Sequence, residues 1–214
     1  MAGLEPIRVV LSDSHALFRR GLMVVLEREP DIEVVGEAVT DDDLVALVVA
    51  TRPDVTVVGL GGTGPQVIGV LTRSLPGIRI IALSVADDAA AVGDEALVAV
   101  GNGAVGHLVK EGAVGVFPHI VRLVHGGDPP VSGPLATRLL DFEQQLGEIW
   151  TGHERRVFQV VAQTGSTERT ARQLGVDTRV VRGLLRNGMA RFHRHLAQRP
   201  GATTASTPSP APAP

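Results

Sequence analysis

The sequence predicts an α/β domain of five βα units around a parallel sheet, followed by a smaller all-α domain. Three observations carry this. Five short β-branched runs alternate with stretches of helical apolar spacing as far as residue 126, the pattern of βαβ units. A turn-rich break at 126–134 (GGDPPVSGP) is followed by helical spacing only. The charge also changes sign along the chain. Ten basic and 20 acidic residues up to position 150 give −10, while ten basic and three acidic residues after it give +7.

The strand runs are 6–12 (PIRVVLS), 32–38 (IEVVGEA), 54–60 (DVTVVGL), 78–84 (IRIIALS) and 105–109 (VGHLV). Nearly continuous apolar runs of this kind suit strands covered on both faces, hence a parallel sheet. Between them, Leu17, Gly21, Leu22, Val25 and Leu26 predict one face of a helix begun at Ser14. Leu44, Leu47 and Val48 predict another, after Thr40 and the acidic Asp41, Asp42 and Asp43, which suit a helix N-terminus. Val67, Val70 and Leu71 come before Pro76, and Val92, Ala96, Leu97 and Val100 before Gly101. Val114, Phe117, Ile120, Val121 and Val124 form the last set, closed by Gly126 and Gly127. Ligands of such sheets bind at the strands' C-terminal ends, so Ser12, Asp13, Ser14, Gly59, Ser84 and Lys110 are the residues to inspect.

The predicted divisions are 6–126 for the sheet domain, 127–149 for a linker, 150–197 for the helical domain and 198–214 for a disordered tail. Leu135, Leu139, Leu140, Phe142 and Leu146 predict a helix over 135–149 in the linker. The tail (GATTASTPSPAPAP after Pro200) has no large apolar side chain to pack.

Composition excludes several classes of function. There is no cysteine, hence no disulfide, thiolate metal site or cysteine nucleophile. Glu5, Arg8 and Asp13 interrupt any signal-like N-terminus, and no apolar run reaches 18 residues. A cytoplasmic protein without membrane contact is the expectation. No Ser/His/Asp order, Walker-type loop or His-rich metal spacing appears, and GGTG at 61–64 lacks the lysine of a phosphate loop. The expectation is therefore a protein that is not an enzyme and carries no cofactor and no metal. Nineteen of the 20 basic residues are arginine, leaving Lys110 as the one lysine.

The helical domain reads as a helix-turn-helix. Thr151 and Glu154 have capping-box spacing ahead of Val157, Phe158, Val161 and Ala162. A second helix is predicted over 167–174, ending at Gly175, whose freedom at positive φ suits a tight turn. A third follows the N-cap Asp177 and turns Val181, Leu184, Leu185, Met189 and Phe192 inward. Ala171 is small where the two helices touch, and Leu174, Val176, Val181 and Leu184 are expected to fill the wedge between them. The third helix would then enter the major groove of double-stranded DNA, with Thr178, Arg179, Arg182, Arg186 and Asn187 best placed to contact it. The excess of positive charge is what a polyanion partner requires, a merely solvated basic face being the alternative.

IRVVLSDSHALFRRGL, EPDIEVVGEA, RPDVTVVGL, IIALSVADD and GAVGHLVKEGA, with HERRVFQVVAQTGSTERTARQLGVDTRVVRGLL, resemble the response regulators of the NarL/FixJ type. In that family a receiver (flavodoxin-like) domain precedes a LuxR-type helix-turn-helix. The likeness runs from about Ile7 to Phe192, and is looser in the second domain, which also resembles the promoter-reading region of sigma factors. It implies a bacterial DNA-binding transcription regulator of two-component type.

The same resemblance places the phosphorylated aspartate at Gly59, which has no oxygen to phosphorylate. Asp54 cannot substitute, lying five residues and roughly 16 Å away at the other end of the strand. The family's acidic pair after the first strand reads here as Asp13 and Ser14, so one of three metal-binding carboxylates remains. Four glycines between 59 and 64 predict a mobile loop or a close backbone approach. Ser84 holds the family's hydroxyl switch position and Lys110 that of the phosphate-binding lysine. The expectation is that Lys110 pairs with Asp13 and closes the crevice, an ancestral remnant without duty being the alternative. His107 stands where the family has an aromatic switch residue, and surface packing is expected of it. Gly183 and Gly188 interrupt the recognition helix at about 1 kcal/mol each relative to Ala. The family's fourth helix, used for dimer contacts on DNA, has no counterpart. A homodimer through receiver or linker helices is therefore expected, with another response regulator as a further possible partner.

Overall fold

The computed structural model describes residues 5–61, 64–85, 88–111 and 113–198. Its strands are β1 (Ile7–Ser12), β2 (Ile32–Ala38), β3 (Val55–Gly59), β4 (Arg79–Ser84) and β5 (Gly106–Val109). All pair in parallel, in the order β2-β1-β3-β4-β5. The chain therefore leaves β1 to one side for β2 and to the other for β3. That reversal opens a crevice above the C-terminal ends of β1 and β3.

The sheet is sandwiched between α1 (Ala16–Leu26) and α5 (Phe117–His125) on one face, and α2 (Asp41–Thr51), α3 (Gln66–Ser74) and α4 (Ala89–Gly101) on the other. Strand alternation sorts the core. Val9, Leu11, Val57, Ile81 and Leu83 meet Leu22, Leu26, Phe117 and Val121. Val10, Val58, Ile80 and Ala82 face the other way, toward Leu44, Val48, Ile68, Leu71 and Val100. Thr40 caps α2 as its sequence predicts, its hydroxyl accepting from the Asp43 N–H at 3.2 Å.

Helix α6 (Gly133–Leu146) begins earlier than its apolar spacing predicts. Ser132 caps it by accepting from the Leu135 N–H, and Pro134 is tolerated in a first turn that needs no amide donor. Gly147, at φ 95, ends it. Leu135, Ala136 and Leu139 are buried on the inner side of this helix, continuous with the core under α4 and with Trp150, Val157 and Phe158. One apolar core thus runs from the sheet into α7 (Gly152–Thr164), α8 (Thr167–Leu174) and α9 (Thr178–Ala197).

Some faces differ from their expectation. Leu17, read as inward, is 88% exposed. The inward row of α1 is instead the half-buried Phe18 with the buried Leu22 and Leu26, and Leu17 lies one residue, about 100°, off it. Helix α1 also starts at Ala16 after an extended His15, two residues later than expected. On α3 the buried face is Val67, Ile68 and Leu71, so Val70 turns outward. The tail beyond residue 198 and the side chain of Leu146 lie outside the described residues, as do Gly62 and Thr63 of the glycine-rich loop.

Candidate functional site

The crevice is built from the ends of β1, β3 and β5. Asp13 follows β1 directly, and Lys110 follows β5, its N–H donating to the Ser84 carbonyl at 2.9 Å. Lys110 Nζ stands 2.6 Å from Asp13 Oδ2, and the two side chains are only 7% and 3% exposed. The other oxygen, Asp13 Oδ1, accepts the His15 N–H at 2.8 Å. The Phe18 ring lies under the ammonium, 5.0 Å from centroid to Nζ, and its π face attracts the positive charge.

Gly59 is what makes this pairing fit. A Cβ placed on it would stand 2.1 Å from Asp13 Oδ2 and 2.6 Å from Cγ. The Asp13 carboxylate therefore fills the space into which any side chain at position 59 would project. A divalent cation is not matched by these residues. Both Asp13 oxygens are engaged, Gly59 adds no side-chain oxygen, and no group of three acidic or histidine side chains converges among the described residues. Ser14 is exposed and contributes nothing to the pair.

Ser84, at the end of β4, belongs to a second arrangement. His107 is fully buried, a correction to the surface role its sequence context gave it. The linker segment at 130–132 lies along the edge of β5: the His107 N–H donates to the Pro130 carbonyl, and the Ser132 N–H to the His107 carbonyl. This long-range pairing hides the ring. His107 Nε2 lies 3.0 Å from Ser84 Oγ and Nδ1 lies 2.8 Å from Ser132 Oγ.

The network assigns the proton positions. The Glu95 carboxylate, 3.1 Å from Ser84 Oγ, can only accept, so the Ser84 hydroxyl donates to it. His107 Nε2–H then donates to Ser84, and the unprotonated Nδ1 accepts from Ser132. Ser132 in turn accepts the Leu135 N–H that caps α6. The chain of donors runs unbroken from the start of α6 to Glu95 on α4. Burial pushes the His107 pKa down to about 4, consistent with a neutral ring. Sequence reasoning missed Glu95 and Ser132. Ser132 was legible as a helix cap ahead of Gly133 and Pro134, but no local signal tied it to position 107.

In the C-terminal domain the capping box of Thr151 and Glu154 is formed in both directions. Gly175 takes the left-handed conformation at φ 66 and ends α8. Asp177 caps α9, accepting from the Arg179 N–H at 2.7 Å. Val181, Leu185, Met189 and Phe192 are buried. Val176 does not fill the wedge between α8 and α9. Its N–H turns back to the Ala171 carbonyl and its side chain is 40% exposed.

Arg179, Arg186 and Asn187 are exposed on α9 and Thr178 is half-buried. Arg182 turns inward, its Nη2 3.8 Å from Glu168 of α8. Arg186 reaches across to the Asp128 carboxylate, with Nε at 3.1 Å. The end of α9 also rests on α4, where His193 Nε2–H donates to the Val100 carbonyl at 3.1 Å. Burial lowers the His193 pKa against the opposing pull of the Val100 and Ala104 carbonyls.

A five-stranded receiver-like sheet joined to a helix-turn-helix defines the architecture of a response regulator with a LuxR-type output domain. The comparisons agree. No family model matches the chain. The transcriptional regulatory protein LiaR of Bacillus subtilis is 28% identical over 152 residues, spanning 69% of this chain and 70% of LiaR. The receiver domain of the response regulator NarL from Mycobacterium tuberculosis is 28% identical with a TM-score of 0.52, covering 58% of this chain and 99% of that one. The response regulator RcsB of Salmonella typhimurium, at 18% identity and a TM-score of 0.55, matches in fold over 91% of this chain and 99% of its own. The chain is thus similar in sequence to LiaR and to the NarL receiver domain, and in fold to response regulators of the NarL/FixJ type.

Proposed function

We propose that the protein is a DNA-binding transcription regulator that works without aspartyl phosphorylation. The observation that carries this is the crevice. Asp13, the carboxylate that fills the space above Gly59, is held in an ion pair by Lys110, which supports a pocket with neither a free acceptor nor the several carboxylates a metal for phosphoryl transfer needs. In place of a covalent charge, the fixed pair holds one arrangement of the crevice, and the output domain responds to contacts. DNA binding is supported by the basic α9 and by RcsB, a relative in fold whose structure on promoter DNA has a TM-score of 0.52 to this chain.

Thr178, Arg179, Arg182, Arg186 and Asn187 are the residues assigned to DNA. An arginine bidentate to guanine discriminates by about 1–3 kcal/mol, while the remaining arginines hold phosphates and set the salt dependence. No helix among the described residues is long and apolar enough to cross a membrane, and a cytoplasmic site of action fits this reading. A mobility-shift titration against the gene's own promoter at moderate salt tests it. Site-selective binding, weakened in Arg179→Ala and Arg182→Ala, is expected.

A second reading has one observation in its favour. Arg186 is held by the Asp128 carboxylate and Arg182 turns inward, 3.8 Å from Glu168, which favours weak DNA binding by this helix on its own. A partner, either a second copy seated through the receiver or linker helices or another response regulator, would then be needed. Uniform weak binding to every sequence supports this reading over the first.

A further inference from the structure

A cavity of about 720 Å³ lies between the receiver-like sheet and the helix-turn-helix. Leu108, Ile120, Leu123 and Val131 give it an apolar side, while Arg169 and Arg182 stand on the side of the output domain. Small-molecule sites commonly enclose about 300–1,000 Å³ and recur at domain interfaces, mostly apolar with few polar anchors.

The anchor is Arg182. Its Nε is buried without a hydrogen-bond partner, and the Glu168 oxygen 3.8 Å from Nη2 is beyond hydrogen-bond range. A guanidinium edge of this kind is matched by a carboxylate accepting from Nε and Nη2 side by side. Glu168 is 60% exposed and, among the described residues, otherwise held only by the Ser166 hydroxyl, which donates to its Oε2 at 3.0 Å, so its withdrawal into solvent is the movement that would open the buried Nε edge to such a ligand. The charge of the ligand is bounded as well. Glu111, Glu168 and Asp128, the last paired with Arg186, border the cavity beside Arg169 and His119, so basic and acidic groups nearly balance and a single negative charge on Arg182 is better matched than two.

We infer that this cavity binds a small apolar monocarboxylate, an aryl or branched alkyl acid, with its carboxylate on Arg182 and its body over Ile120, Leu123 and Val131. Ser132, the last member of the His107 hydrogen-bond chain, also lines the cavity. An occupant thus touches both the recognition helix and the chain leading back to Ser84. Its effect on promoter affinity rests on the DNA-binding reading above; the binding itself does not.

Calorimetric titration of the full chain, without DNA, tests the site. The probes are 2-naphthoate, phenylacetate and 4-methylvalerate, with 2-naphthamide as an uncharged counterpart. Saturable one-to-one binding of at least one acid is expected, about tenfold weaker in Arg182→Gln and lost in Leu123→Trp, which fills the cavity. Naphthamide should bind about tenfold more weakly than naphthoate if naphthoate is the acid bound. Circular dichroism confirms that both variants fold, and if Leu123→Trp does not, Arg182→Gln decides alone. No saturable binding of any acid, or equal binding in Arg182→Gln and wild type, overturns the site. Acid binding that leaves promoter affinity unchanged removes the coupling to DNA and leaves the site standing.

Discussion

The crevice and the recognition helix both hold ion pairs, but of opposite kinds. Asp13 and Lys110 are almost wholly shielded, whereas Arg186 is 52% exposed where it meets Asp128, itself 16% exposed, so that pair is open to water on the arginine's side. A buried pair leaves an uncompensated charge when one partner is removed, while an exposed pair exchanges its partner for water. The receiver-like crevice is therefore fixed, and the output helix is held by contacts that can be undone. A fixed pair stands where the fold is rigid, and adjustable contact where it is not.

The largest expected effect follows from that contrast. Lys110→Ala should destabilise the fold by about 3–5 kcal/mol, against less than about 1 kcal/mol for Arg186→Ala, both read by urea unfolding at neutral pH. Equal losses would break the comparison.

Next comes His107. Its ordinary pKa of 6.5 falls to about 4 in the folded chain, so between these values the unfolded chain holds more protons. The stability it contributes is fully present above 6.5 and is lost as the pH falls toward 4, a swing of about 3 kcal/mol. In His107→Gln this part of the pH profile should flatten, while an unchanged profile would show that the ring is not held neutral.

Two glycines of α9 sharpen the view of the output domain. A Cβ on Gly188 would meet Phe158 Cε2 at 2.5 Å, and the Gly188 carbonyl accepts from Trp150 Nε1–H at 2.8 Å. Gly188→Ala should cost about 1–3 kcal/mol through overpacking. Gly183 has open space around it, and Gly183→Ala should instead stabilise by up to about 1 kcal/mol in thermal melts. The smallest change in stability belongs to Asp128→Ala, within about 1 kcal/mol. It frees Arg186, and on the DNA-binding reading it raises promoter affinity in a shift assay; unchanged affinity would mean that Asp128 does not restrain the helix.

Much of the fold was legible in the sequence because its signals are local. Each predicted strand agrees with its observed counterpart to within a residue at either end, since β-branched runs bounded by turn residues define them. Thr40, Thr151, Asp177 and Gly175 act as the caps their types imply. That position 59, at the mouth of the crevice, carries no side-chain oxygen needed no structure. What could not be read depends on distant pieces of chain. The burial of His107 is set by residues 130–132 crossing β5, and the exposure of Leu17 by which row of α1 meets the sheet. That Gly188 is a packing requirement, and not merely a weak point in a helix, depends on Trp150 and Phe158 from outside α9.

The central claim, that a fixed Asp13–Lys110 pair stands where a phosphoryl group would act, is tested most directly by intact-mass spectrometry after incubation with acetyl phosphate and magnesium. The account predicts an unchanged mass for the wild-type chain. A stoichiometric increase of one phosphoryl group, labile to hydroxylamine as an acyl phosphate is, would contradict it.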